Sequence, residues 1–254
     1  MTGDVYDDAF FDEKEEDVLR SARVIVPLVV ELVRPQSVVD VGCGRGGWLS
    51  VFREQGVEQI RGFDGEHVNR AKLLIDPTAF TGIDLARPFE VDGAYDLALC
   101  LEVAEHLPRA AGPDLVGALV HAAPVVLFSA AIPGQGGTSH VNERWPRYWE
   151  ELFAEHGYVR VESIRPKVCY DARVKWWYRQ NVTLYASGAA VDARPALAAE
   201  LEREPTAALE WVHVQVHGRQ LLATSTLRGL LPRLPAAVRA LVLRRRFHGP
   251  NDPM

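Results

Sequence analysis

Glycines dominate a short turn that follows an apolar segment near residue 40. The sequence GCGRGG at residues 42–47 fits the pattern G-x-G-x-x-G. Glycine lets the backbone turn sharply and lets a ligand approach main-chain N–H groups closely. Asp64 follows about twenty residues after the first glycine, the spacing at which an acidic side chain accepts hydrogen bonds from ribose hydroxyls. The sequence therefore predicts a site for a cofactor that contains a nucleoside.

Further acidic residues lie at or near the ends of predicted strands. Asp40 stands inside the first strand, two residues before the first glycine. A buried carboxylate is costly unless it is hydrogen-bonded, so Asp40 is expected to orient the glycine loop or a cofactor ammonium group. Asp84 follows the third strand, where it could accept from an adenine amino group, and Glu102 follows the fourth. Because ligands of open α/β sheets bind beyond the carboxyl ends of the strands, these side chains are predicted to converge.

Two histidines are candidates for removing a proton from an acceptor. Histidine titrates near neutrality and is a common general base. His106 follows the fourth strand, where a structural role is the alternative, and His140 follows a glycine-rich loop at residues 132–139. His140 and Glu143 have a spacing that leaves metal ligation as a minor alternative, but no second ligand pair is evident. The sequence alone therefore predicts no metal site.

Aromatic residues concentrate in two segments near the second half of the predicted sheet. Residues 145–153 carry aromatic side chains at helical spacing, which indicates a core stripe or, alternatively, one wall of an acceptor pocket. Residues 176–178 are all aromatic, and neighbouring side chains on a strand point to opposite faces, so at least one of them should face solvent or a ligand. The residues predicted to frame the acceptor pocket are His140, Trp145, Trp177, Arg179 and Asn181.

Helical and strand patterns alternate along most of the chain. Strands are predicted at residues 37–39, 59–63, 80–83, 94–101, 124–129, 158–164 and 180–186. Helices are predicted at residues 18–33, 48–54, 66–74, 115–122 and 144–156. This alternation is typical of an α/β fold with a doubly wound, mostly parallel sheet that is covered by helices on both faces.

The two ends of the chain differ from this pattern. Residues 1–17 form a predicted acidic arm whose aromatic side chains pack onto the domain or, alternatively, close over the cofactor as a flap. Residues 18–187 form the predicted catalytic domain. Residues 188–254 form a predicted helical extension, with helices at 196–204 and 211–222, that serves as a cap or a homodimer contact. A basic amphipathic end touching a membrane surface is the alternative.

Composition restricts the partners and the compartment. The formal net charge of −6 over 254 residues argues against a nucleic-acid partner, because a polyanion is usually bound by clustered positive charge. No apolar run approaches the roughly 20 residues of a membrane span. The acidic start lacks the pattern of a secretory signal, and three well-separated cysteines suit a reducing compartment. A cytoplasmic location is therefore expected.

The motifs in order resemble those of a known family. VVDVGCGRGGWL, IRGFDG, GIDL and YDLALCLEVAEHLP are similar to the successive motifs of class I S-adenosylmethionine-dependent methyltransferases, in the bacterial small-molecule subgroup, over residues 20–187. The resemblance implies a Rossmann-like, seven-stranded sheet whose last strand is antiparallel. It also implies that Asp40, Gly42 and Gly44 bind the methionine end of the cofactor, that Asp64 binds the ribose, and that Asp84 and Leu85 bind the adenine. Leu101 and Glu102 would line the pocket near the sulfonium, and Gly46 completes the set of implied cofactor-binding residues.

The resemblance further implies S-adenosylmethionine as the cofactor and S-adenosylhomocysteine as the product. Our leading hypothesis is methylation of a hydroxyl on a small molecule, such as a specialised metabolite or a sugar, with His106 or His140 assisting deprotonation. Methylation of a nitrogen or a carboxylate is the alternative chemistry. A non-catalytic cofactor-binding partner protein and an NAD-dependent oxidoreductase are alternatives of other classes.

Overall fold

A seven-stranded sheet forms the centre of the protein. The computed structural model describes residues 8–203, and residues 1–7 and 204–254 lie outside the described part. The strands are β1 Ser37–Val41, β2 Gln59–Asp64, β3 Phe80–Gly82, β4 Leu97–Leu101, β5 Val125–Ser129, β6 Tyr158–Val161 and β7 Thr183–Ser187. Their order is β3-β2-β1-β4-β5-β7-β6, and only β7 runs antiparallel to its neighbours. This topology confirms the predicted fold class and the antiparallel last strand.

Helices cover both faces of the sheet. They are α1 Asp8–Val33, α2 Gly47–Glu54, α3 Gly112–Ala122, α4 Pro146–Glu155, α5 Arg165–Val168, α6 Trp176–Asn181, α7 Gly188–Asp192 and α8 Pro195–Glu202. Because side chains alternate along a strand, Val38 of β1 packs into the core under α1 and α2, whereas Val39 packs into the core under α3 and α4. All five residues of β1, β4 and β5 are buried, as expected for central parallel strands.

The first helix is longer than predicted. Helix α1 begins at Asp8 and runs for 26 residues, so residues 8–17, which were assigned to the arm, continue the helix instead. Phe11 in this segment packs against the domain, as the arm interpretation expected, while Tyr6 lies outside the described residues. The proposed division into arm, domain and extension stays a prediction.

Two predicted elements are wrong in type. The predicted helix at 66–74 is only a single 3-10 turn, Arg70–Lys72, because the Asn69 side chain accepts a hydrogen bond from the Ala71 N–H and so competes with a longer helix. The aromatic residues 176–178 lie on helix α6 and not on a strand, so their side chains do not alternate between two faces of a sheet. Helix α6 is fixed by burial of Tyr178, whose ring meets Trp48 edge to face at 5.1 Å.

Two short helices follow the last strand. Helix α8 corresponds to the predicted helix at 196–204, whereas the predicted helix at 211–222 and any dimer contact beyond it lie outside the described residues. Of the helices within residues 8–203, none combines the length and the apolarity that a bilayer crossing requires.

Candidate active site

The glycine turn lies between β1 and α2, at the carboxyl edge of the sheet. The N–H groups of Gly42 and Cys43 both donate to the Phe63 carbonyl, at 2.7 and 3.1 Å. Gly42 has φ of 86°, and a Cβ atom at this position would collide with the Val103 side chain. Glycine is therefore required here both by backbone conformation and by the close approach of the loop that follows β4.

Asp64 holds the glycine turn in place. Its two carboxylate oxygens accept hydrogen bonds from the N–H groups of Gly44 and Gly65, each at 2.6 Å. Burial raises the pKa of Asp64, and these two N–H donors act in the opposite direction. The structure thus gives Asp64 a role in organising the loop, and its predicted contact with the ribose stays a prediction.

Asp40 lies beside Asp64 and is almost completely buried. One of its oxygens, Oδ2, has no hydrogen-bond partner among residues 8–203. Burial and the nearby Asp64 carboxylate raise the pKa of Asp40 to about 8. An orphaned buried carboxyl oxygen at this edge is suited to a cationic donor, which fits the predicted ammonium contact.

The loop after β3 adjoins the end of β2. The Ile83 N–H donates to the main-chain oxygen of Asp64 at 2.7 Å, which brings the predicted adenine-binding pair next to the predicted ribose-binding residue. Leu85 is buried, whereas the Asp84 side chain is half exposed, accepts from the Ala86 N–H at 3.1 Å and pairs with an arginine.

At the end of β4 the chain turns through an unusual backbone conformation. Leu101 is buried, and Glu102 has φ of 56°, which is uncommon for a residue with a side chain and is often found at functional sites. The Glu102 carboxylate accepts hydrogen bonds from Gln135 Nε2 at 3.2 Å and Asn181 Nδ2 at 3.0 Å. Asn181 also donates to Gln135 Oε1 at 3.0 Å. We call this hydrogen-bonded set, with His140, the acceptor rim.

The two predicted catalytic histidines meet at this rim. The rings of His106 and His140 lie edge to face, with centroids 4.8 Å apart. His140 Nδ1 is 3.0 Å from Glu143 Oε1. Burial and the neighbouring His140 lower the pKa of His106 to about 4, so that His106 is neutral at physiological pH.

Glu105 and Gln135 were missed by the sequence reasoning. Glu105 is completely buried beside this pair, and burial together with the Glu102 carboxylate holds the pKa of Glu105 well above its usual range. An acidic residue inside the apolar run LEVAEHL was the available signal. Gln135 lies in a glycine-rich loop, and no local pattern points to its contact with Glu102.

The other residues predicted to frame the acceptor pocket are not part of the hydrogen-bonded acceptor rim. The Trp177 ring faces the ammonium groups of Lys14 and Lys175, at 5.8 and 5.6 Å. Arg179 Nη1 donates weakly to the Cys169 carbonyl at 3.4 Å. Trp145, at the start of α4, is 39% exposed. Asn181 therefore bonds to Glu102 of the rim and His140 lies near the same carboxyl group, whereas the roles of Trp145, Trp177 and Arg179 stay predictions.

The first turns of α1 lie against the glycine turn. The buried guanidinium of Arg45 forms ion pairs with Asp8, Asp12 and Glu15, at 2.9, 2.6 and 3.2 Å. The Phe11 ring stacks on the same guanidinium at 5.4 Å. Position 45 is one of the three variable positions of the glycine pattern, and nothing in the pattern indicates this contact.

Comparison with known proteins agrees with this geometry. A family model described as a methyltransferase domain matches residues 15–159, more than half of the chain. The chain belongs to this methyltransferase family, which confirms the predicted class and, with it, S-adenosylmethionine as the predicted cofactor. No sequence among curated proteins matches the chain.

Solved structures are similar in fold only. DesVI from Streptomyces venezuelae has a TM-score of 0.53 at 16% identity, over 73% of this chain and 98% of that chain. The magnesium protoporphyrin IX methyltransferase from Synechocystis, solved with S-adenosylhomocysteine, has a TM-score of 0.48 at 17% identity, over 70% of this chain and 88% of that chain. At such identities the likeness extends to the fold and not to the substrate.

Proposed function

We propose that this protein transfers a methyl group from S-adenosylmethionine to a hydroxyl group of a small molecule, such as a specialised metabolite or a sugar. The observation that carries the proposal is the position of His140, which contacts Glu143 and lies beside His106. A histidine–carboxylate pair at the carboxyl end of the sheet is suited to accepting a proton from an acceptor.

The charge of the site supports this cofactor over a dinucleotide. Asp40, Asp64 and Glu102 place three carboxyl groups at the ends of β1, β2 and β4. S-adenosylmethionine supplies an electrophilic methyl group and carries a sulfonium and an ammonium cation. A pyrophosphate offers these buried carboxyl groups further negative charge and no hydrogen-bond donor, and the Gly44 N–H that could bind it already donates to Asp64. The site therefore favours the cationic cofactor over NAD.

His140 is the better placed of the two candidate bases. Glu143 orients its ring and stabilises the imidazolium that forms when His140 accepts a proton. Glu143 is itself held by the N–H groups of Gly134 and Gly136, each at 2.7 Å. His106, with its lowered pKa, accepts a proton poorly at neutral pH.

The acceptor rim offers polar groups for binding a hydroxyl. Asn181 Oδ1 is buried and has no hydrogen-bond partner within residues 8–203, so it is available to accept from an acceptor O–H. Trp145, Trp177 and Arg179 complete the proposed acceptor pocket. Alanine at these three positions is expected to raise the acceptor KM without changing cofactor affinity; a loss of cofactor affinity would contradict the assignment.

Calorimetry and a cofactor-consumption assay test the function. Purified protein should bind S-adenosylhomocysteine and should methylate hydroxyl-bearing members of a panel of sugars, phenols, carboxylic acids and amines. His140→Gln should lower kcat by about 10²–10⁴-fold, the usual contribution of a general base, and leave S-adenosylhomocysteine affinity unchanged. His156→Gln, an exposed change at the end of α4, is the matched control.

Each negative result of these binding and turnover assays would point to a different conclusion about the function. No binding at high micromolar S-adenosylhomocysteine would reject the methyltransferase proposal. Transfer only to amines or only to carboxylic acids would replace hydroxyl methylation with the corresponding alternative. Cofactor binding without turnover across the whole panel, together with a stable complex on pull-down, would favour a non-catalytic partner protein.

A further inference from the structure

Three potential metal ligands meet beside the end of β4. In the part of the chain that the structure describes, the donor atoms of Glu105, His106 and His140 all lie within 4.8 Å of one another. Glu105 and His106 share the 3-10 turn Ala104–His106, and His140 comes from the loop after β5. We call these three residues the Glu-His-His cluster. Glu105 and His106 are adjacent in the sequence, but His140 lies 34 residues beyond His106, so no spacing motif joins all three.

Of the three residues in the cluster, Glu105 has the least favourable environment for a charged side chain. Its side chain is fully buried, and neither carboxyl oxygen makes a hydrogen bond to any residue in the range 8–203. The N–H groups of Glu105 and Ala131 lie close enough to favour its charged form, but neither reaches hydrogen-bonding geometry. The Glu102 carboxyl lies against it as well. A buried carboxylate without a counter-charge is strongly unfavourable, and a cation would offset that cost.

Neighbouring groups fix the ring orientation of both histidines, as is usual for imidazoles that bind a metal. The hydrogen bond between His140 Nδ1 and Glu143 fixes the tautomer in which Nε2 carries the lone pair. Glu143 is anchored in turn by two glycine N–H groups of the same loop. The His106 ring interacts with main-chain carbonyls of that loop, which fixes its orientation. Such outer contacts are conspicuous around metal ligands because they fix ring orientation and tautomer.

We propose that Glu105, His106 and His140 bind one divalent transition-metal cation. Two imidazole nitrogens and one carboxylate oxygen suit Mn²⁺, Fe²⁺, Co²⁺ or Zn²⁺, whereas Mg²⁺ and Ca²⁺ prefer oxygen ligands alone. Donors bound at about 2.1 Å in tetrahedral geometry stand about 3.4 Å apart, so binding draws the widest pair together by up to about 1.4 Å (4.8 minus 3.4). Three protein ligands leave coordination positions open for water or an acceptor oxygen.

The cation would activate the acceptor, a role that rests on the proposed function although cation binding itself does not. A hydroxyl bound to a divalent cation loses its proton to solvent water far more readily than a free hydroxyl does, and the resulting oxygen anion accepts the methyl group. His140 then serves as a ligand, and the cation takes over the task of acidifying the acceptor. Glu143 keeps the same orienting role in both cases.

Metal titration of the full-length chain tests the site directly. Protein stripped with a chelator is titrated with Mn²⁺ while free Mn²⁺ is followed by electron paramagnetic resonance, and with Co²⁺ while visible absorption is recorded. One cation should bind per chain, with the absorption bands of nitrogen-ligated Co²⁺. Mg²⁺ at roughly 1 mM, the range of weak oxygen-ligand sites, should not compete.

Isosteric variants decide whether the cluster is the site. Glu105→Gln and His140→Gln should each weaken Mn²⁺ binding by at least about tenfold, and His156→Gln should not change it. If Glu105→Gln does not fold, His106→Gln takes its place. Absence of saturable binding by Mn²⁺ and Co²⁺, or binding that these variants leave unchanged, overturns the proposal.

Calorimetry with S-adenosylhomocysteine on the same samples separates this proposal from the proposed function. Cofactor binding without cation binding rejects the cation site alone. Cation binding without cofactor binding rejects the methyltransferase function and supports the cation site. If both bind, chelation should lower hydroxyl methylation by at least about tenfold and added Mn²⁺ or Co²⁺ should restore it; unchanged transfer would reject the activating role.

Discussion

The two halves of the candidate site are held together in different ways. In the cofactor half, main-chain N–H groups of the glycine turn bond to the neighbouring strand β2, at the Phe63 carbonyl and the Asp64 carboxylate. In the acceptor half, the Glu102 carboxylate bonds to side chains 33 and 79 residues away in sequence, on Gln135 and Asn181. The first half is therefore fixed by adjacent elements of the sheet, and the second by loops that meet only in the completed fold.

Their electrostatics differ as well. The glycine turn carries a buried cation, Arg45, and three acidic residues of α1 surround it. The acceptor half contains the reverse arrangement, in which the buried Glu105 carboxyl has two histidines and another carboxyl beside it. A buried charge that is already paired stabilises a loop, whereas a buried ionisable side chain without a partner indicates a place where a ligand binds.

Among substitutions in the cofactor half, replacement of Gly42 should cause the largest loss in the free energy of unfolding. Gly42→Ala forces a left-handed conformation on alanine and drives its Cβ into Val103, so we expect a loss of about 3 kcal/mol in the free energy of unfolding. Gly56→Ala is the matched control, because Gly56 has φ of 89° but open space around it, and it should lose only about 1 kcal/mol. Chemical denaturation measures both. Equal losses would show that contact with Val103 is unimportant.

A change at Asp64 should separate binding from stability. Asp64→Asn keeps the size of the side chain but points an amide NH₂ at one of two N–H groups, so we expect S-adenosylhomocysteine affinity to fall about 30-fold, equivalent to about 2 kcal/mol. Asp84→Asn, at an exposed side chain near the predicted adenine site, should cost less than about fivefold. Calorimetry gives both values. A larger loss at Asp84 would place the anchor of the cofactor half elsewhere.

The buried Asp40 should make stability depend on pH. Its pKa of about 8 in the folded chain lies above the ordinary value of 3.8, so between these values the folded state keeps a proton that the unfolded state has lost. Stability of the cofactor-free protein should then fall as pH rises from 5 to 7, by up to about 1.4 kcal/mol per pH unit. Asp40→Asn should remove this slope in urea unfolding. An identical slope in the variant would assign the effect to other groups.

The sequence predicted the strand, the glycine turn and the helix of the cofactor half because their determinants are local: an apolar strand, four glycines and an acidic residue about twenty positions on. The hydrogen bonds of Asp64 to the Gly44 and Gly65 N–H groups were not predicted, and its ribose contact stays a prediction. In the acceptor half the sequence indicated single residues but not their arrangement, and it did not indicate Glu105 or Gln135. His106 and His140 were each identified, yet their contact depends on how the loop after β5 folds back over β4, which no spacing encodes.

Two of the three errors in the predicted elements also come from contacts between residues that are distant in the sequence. Residues 176–181 form a helix because Tyr178 packs on Trp48, which lies far away in the sequence. Residues 8–17 extend α1 where they contact Arg45, another distant residue. Residues 66–74 fail to form a helix because the side chain of Asn69 bonds to the backbone locally, a signal that was present in the sequence and was outweighed by helical spacing.

The contact of Arg45 with α1 shows that a variable position of the glycine pattern can have a structural role. In G-x-G-x-x-G the positions marked x are usually treated as free to vary. In this protein one of them is chosen by the N-terminal helix, since its side chain is buried among Asp8, Asp12 and Glu15 rather than pointed at a ligand. Replacing Arg45 would therefore leave three acidic side chains of α1 without the cation that they share, even though position 45 is not a glycine of the motif.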